Sequence, residues 1–84
     1  MQRTYYSAFE NDGVPLGEEL KSKKEALEVV QEEVNYLLCE LEEESDVAYF
    51  EFYVEKIRET DKEIRVLAEY PVIVESGGTV RYKD

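Results

Sequence analysis

Apolar and polar residues alternate by two at the start of this chain, by three or four in its middle, and by two again over its second half. In RTYYSAFE, residues 3–10, Tyr5, Ser7 and Phe9 stand against Tyr6 and Ala8. A two-residue period on β-favouring side chains predicts a strand. Asn11-Asp12-Gly13 follows, three residue types that tolerate the left-handed backbone of a tight reversal. Val14 and Leu16 then allow a short return strand, which Pro15, lacking an N–H, confines to a sheet edge.

From Ser22 the period lengthens. Ser22 and Glu25 have the spacing of a capping box, in which each side chain satisfies a free backbone N–H at a helix start. Leu27, Val30, Val34, Leu37, Leu38 and Leu41 fall on one stripe, about 100° wide, as a helix lying on a core requires. The pattern predicts a helix over about residues 22–44. Beyond it, VAYFEFYVEKI sends Ala48, Phe50, Phe52 and Val54 to one face and Tyr49, Glu51, Tyr53 and Glu55 to the other, the signature of a half-buried strand. Thr60-Asp61-Lys62-Glu63 reads as a turn. IRVLAEY returns with Ile64, Val66, Ala68 and Tyr70 on one face, until Pro71 breaks or bulges the strand. VIVE continues, Ser76-Gly77-Gly78 turns, and TVRYK closes a last short hairpin.

The order is β-(short β)-α-β-β-β. One amphipathic helix on one face of a mainly antiparallel sheet of three to five strands is an α+β two-layer sandwich. At 84 residues the chain is expected to be a single small domain, 1–84.

Charge changes the picture from fold to function. The chain carries 21 acids against 10 bases, net −11, so direct binding to nucleic acid, which needs Lys and Arg on phosphates, is not expected. Anionic membranes are disfavoured for the same reason. No apolar run is long enough to span a bilayer, and MQRTYYS lacks the apolar core of a signal peptide. Cys39 is the single cysteine, so no internal disulfide can form. These features point to a cytoplasmic protein.

Candidate chemistry is sparse. With no histidine, the commonest neutral-pH acid/base is absent. Cys39 stands near the predicted C-terminal end of a helix among acids, where thiolate formation is opposed. No phosphate-binding loop occurs. Neither enzymatic activity nor a cofactor is expected. Carboxylates clustered at Glu42, Glu44 and Asp46, with Asp12 elsewhere, are the weak candidates for Ca²⁺ or Mg²⁺. They lack EF-hand spacing, and successive helical residues splay about 100° apart.

Residues 22–46 hold nine acids and two bases, net −7 of the total −11. Like charges at i, i+4 such as Glu28 and Glu32 cost a few tenths of a kcal/mol each. One reading is that the acids only solvate the helix. The sharper one is an inhibitor or adaptor that presents an acidic helix to a basic, nucleic-acid-handling protein. Glu25, Glu28, Glu32, Glu33, Glu40 and Glu43 would be its electrostatic contacts and Tyr36 its anchor, with Val29 aligned beside Tyr36. The alternative is a homo-oligomer, a homodimer in its simplest form, built on a tyrosine-rich sheet face of Tyr49, Tyr53 and Leu67.

Overall fold

A computed structural model describes residues 2–40, 51–75 and 77–83. Its elements are β1 (Arg3–Glu10), β2 (Pro15–Leu20), α1 (Lys23–Glu40), β3 (Phe52–Glu59), β4 (Ile64–Val74) and β5 (Val80–Tyr82). All pairings are antiparallel, in the order β2-β1-β3-β4-β5. With α1 lying across β1, β2, β3 and β5, this is the expected α+β two-layer arrangement. Residues 41–44 of the predicted helix, and Ala48 and Phe50 of the following strand, lie outside the described residues.

Local chemistry accounts for the boundaries. Ser22 Oγ accepts the Glu25 N–H at 3.1 Å, while Glu25 Oε2 accepts the Lys21 N–H at 3.2 Å, one residue before the usual reciprocal partner. In the β3–β4 turn, the Thr60 hydroxyl accepts the N–H groups of Lys62 and Glu63 at 3.3 and 3.2 Å. Asp12 Oδ1 accepts the Val14 N–H at 3.2 Å across the first turn.

The core is small and built mostly from valine and alanine. Ala8, Ala26, Val30, Val34, Phe52, Val54, Val72 and Val80 are buried together between helix and sheet. Each fully buried valine contributes about 1.5–3 kcal/mol through its removal from water. Tyr6, Leu16, Leu20, Tyr70 and Tyr82 ring this core. Glycine at position 17 allows close approach of the two layers, since a Cβ there would meet Val29 Cγ1 at 3.1 Å. Val29 is therefore packed against β2, not aligned outward with Tyr36 as the helical spacing suggested.

Two further expectations are corrected by β4. Pro71 does not interrupt it: the strand runs unbroken from Ile64 to Val74, and Tyr53 is opposite Pro71. The irregularity falls four residues earlier. Lys56 opposes Ala68 but Ile57 opposes Val66, so Leu67 is an extra residue, a β-bulge. The bulge reverses the alternation. Ala68, Tyr70 and Val72 share the helix-facing side with Lys56, Val54 and Phe52, whereas Val66 and Ile64 share the opposite face with Ile57 and Glu59. This leaves Ile64, Val66 and Leu67 at 65%, 49% and 43% exposure. Because β5 pairs only with Val72–Val74, the outer edge of β4 from Ile64 to Tyr70 has no partner strand among the described residues.

Candidate functional site

Two surfaces carry chemistry: the outward side of α1 and the sheet face that α1 leaves uncovered. On α1 the inward side is fixed by Ala26, Val30 and Val34. At 100° per residue the opposite side falls to Glu25, Glu28, Glu32, Asn35, Tyr36 and Cys39. Glu28, Glu32, Tyr36 and Glu40 are exposed and Glu25 and Glu33 half-buried, with Glu33 and Glu40 on the flank. Tyr36 is 60% exposed. Glu25 is committed to the helix start, so its carboxylate is only partly available. Glu42, Glu43, Glu44, Asp46 and Tyr49 lie outside the described residues.

Among the described residues, Glu28, Glu32, Glu33 and Glu40 of α1 take part in no ion pair. Arg3 pairs with Glu19 and Glu59 at 2.6 Å, Arg65 with Glu63 at 3.1 Å and Arg81 with Glu75 at 2.6 Å. These ion pairs join groups on or beside the strands. Among the described residues, none reaches Glu28, Glu32, Glu33 or Glu40. Lys23 is turned inward, its ammonium lying 4.0 Å from the Tyr70 ring centroid and 4.6 Å from that of Tyr82. The Glu10 carboxyl sits above its ordinary range, through burial first and then the charges of Asp12 and Glu33. No group of three or more Cys, Asp or Glu among the described residues is arranged to hold a metal ion; Asp12 serves the turn instead.

Tyr49 lies outside the described residues, and Tyr53 stands on the uncovered sheet face. Its rows follow from register: Phe9, Tyr53 and Pro71; then Ser7, Glu55 and Glu69; then Tyr5, Ile57 and Val66. Phe9 and Tyr53 are stacked, centroids 5.3 Å apart and planes 18° from parallel. Ser7 is only 2% exposed and Ile57 only 7%. Glu55 and Glu69 stand directly opposite each other, which is unfavourable for like charges. The Glu55 carboxyl is pushed above its ordinary range by burial and then by Glu69. Leu67, expected on this face, is instead the bulge residue at the open edge.

The Glu55–Glu69 pair was not legible beforehand. Continuing the register of the turn, where Glu59 opposes Ile64, would have set Glu55 against Ala68. Comparison with family models, with curated proteins and with solved structures finds no match to this chain. No helix among the described residues is long and apolar enough to cross a membrane.

Proposed function

We propose that this protein is a non-catalytic binding protein that engages a basic protein partner through the outward side of α1. Glu28 and Glu32 supply the electrostatic contacts, flanked by Glu33 and Glu40, with Glu25 at the helix start; Glu43, outside the described residues, is assigned to the same contact. Tyr36 is the anchor. The observation that carries this reading is the absence of any ion pair to these glutamates among the described residues, while Arg3, Arg65 and Arg81 are paired with acids on or beside the strands. An uncompensated acidic helix steers cationic surfaces towards itself and repels nucleic acid. A protein that handles nucleic acid, whose groove is lined by Lys and Arg, has the complementary chemistry.

The test is capture from the native host's lysate by the tagged protein at low and at high salt, with bound proteins identified by mass spectrometry. The expected result is a DNA- or RNA-handling protein held at low salt and released at high salt. Return of the bait alone, or recovery that is indifferent to salt, would contradict it.

A second reading, self-association, is supported by the unpartnered β4 edge carrying exposed Ile64, Val66 and Leu67. Such an edge is a template for another strand. Residues 56–65 hold four bases against three acids, so this end of an otherwise acidic chain does not repel a second copy. Light scattering over a range of concentrations distinguishes the two, since self-association here survives high salt and is lost in Val66→Asp.

A further inference from the structure

The sheet face opposite the helix carries a depression and a row of polar groups set apart from the acids of α1. A shallow depression of about 320 Å3 lies over Pro71, with Glu51, Tyr53, Glu69, Ile73 and Lys83 around it. Pro71 is short and its neighbours are long, which makes the hollow. Phe9 stacks on one side of the Tyr53 ring. Pro71 opposes Tyr53 from the other strand, so the remaining ring face is turned toward the depression.

Beside the hollow stands the Ser7–Glu55–Glu69 row. Direct cross-strand neighbours have Cβ atoms about 4.5–5.5 Å apart, near enough for the two carboxylates to repel. Neither is ion-paired among the described residues; Lys83 borders the hollow without reaching either. Ser7 is an independent sign. It is buried to 2% exposure, yet its hydroxyl has no hydrogen-bond partner among the described residues. It is not sealed off either, since no fully buried side-chain oxygen or nitrogen among them is left unsatisfied. Ser7, the carboxylate pair and the aromatic wall thus set acceptors beside a ring face on one side of the sheet.

We infer that this face binds the arginine side chain of a partner protein, its stem over Pro71 and Ile73, its guanidinium stacked on Tyr53 and donating to Glu55 and Glu69. Arginine fits better than lysine. Its flat guanidinium stacks on aromatic rings, presents five donors to two carboxylates, and is more weakly hydrated than an ammonium. A second copy of this chain fits poorly, because a two-fold axis through the row would bring four carboxylates together.

The test is a heteronuclear NMR titration of the full chain with N-acetyl-arginine amide, repeated with N-acetyl-lysine amide and with CaCl2. Saturating shifts are expected at Tyr53, Glu55, Glu69 and Ile73 with the arginine derivative, weaker ones with lysine, and none with calcium. Glu69→Gln should weaken the arginine derivative by about tenfold, as loss of one charge-assisted hydrogen bond does. Glu18→Gln, on β2, should leave it unchanged. Non-saturating shifts, shifts confined to α1, or calcium binding at these residues would each overturn the inference.

Discussion

The Gln31 side chain of α1 is hydrogen-bonded to the β5 segment as though it were part of a neighbouring strand. Its Oε1 accepts the Val80 N–H at 3.0 Å, and its Nε2 donates to the Gly78 carbonyl at 2.8 Å and to Asn35 Oδ1 at 3.1 Å. The last strand of the sheet has three residues, and a helix side chain completes its backbone bonding. Gln31→Ala strands the part-buried Val80 N–H and Gly78 carbonyl. We expect a loss of about 1–3 kcal/mol in urea unfolding, with faster amide exchange at Val80.

Gly78 and Gly77 make a matched pair. Both have positive φ, +89° and +94°, but a Cβ at Gly78 would meet Leu38 Cδ1 at 2.5 Å, whereas nothing lies within 4 Å of one at Gly77. Alanine at either position pays the left-handed backbone cost, about 1 kcal/mol. Gly78→Ala must also displace the Leu38 tip, so its melting temperature should fall further than that of Gly77→Ala. Equal losses would show that Leu38 moves aside freely.

Tyr82 ties the start of α1 to the sheet, its hydroxyl donating to the Lys23 carbonyl at 2.5 Å. Burial, followed by the neighbouring Tyr6 and Tyr70, pushes its pKa up to about 12 from 10.0. A folded value above the unfolded one favours the protonated form in the fold. The stability it contributes is whole below pH 10.0 and is lost as pH rises towards 12. Tyr82→Phe should cost about 1 kcal/mol at neutral pH and flatten the alkaline fall in melting temperature.

Glu55 and Glu10 act in the same direction at lower pH. Both carboxyls are raised above their ordinary 4.5, so the folded chain holds these protons longer than the unfolded one. Their contribution is most favourable below 4.5 and is lost as pH rises through the raised values. At pH 7 Glu55→Gln should stabilise by about 0.2–1 kcal/mol, the scale of a cross-strand charge pair. Thermal unfolding from pH 4 to 7 should show a shallower slope in this variant.

The element order was legible because each period is unbroken where it was read: residues 3–10, the helical stripe from Leu27, and the strand through Phe52 and Val54. The faces of β4 were not. One inserted residue at Leu67 reverses every side chain before it, and the alternation of IRVLAEY, with Ile64, Val66, Ala68 and Tyr70 in one phase, shows no break where the bulge falls. Helical spacing alone set Val29 outward, because the close approach at Gly17 depends on where β2 lies. Gln31 and Ser7 carried no signal, since their roles come from partners distant in the chain. The acidic helix was readable from charge alone, but that no ion pair reaches Glu28, Glu32, Glu33 or Glu40 among the described residues needed the placed side chains.

The most direct test of the central claim uses the protein with Glu28, Glu32, Glu33 and Glu40 all changed to Gln. Circular dichroism and thermal unfolding first establish that α1 is retained. Capture from the native host's lysate is then repeated at low salt beside the unchanged protein. The account predicts recovery of the basic partner reduced by at least about tenfold, since four charged contacts and their steering are removed. Undiminished recovery by the folded variant would contradict it and place binding away from α1.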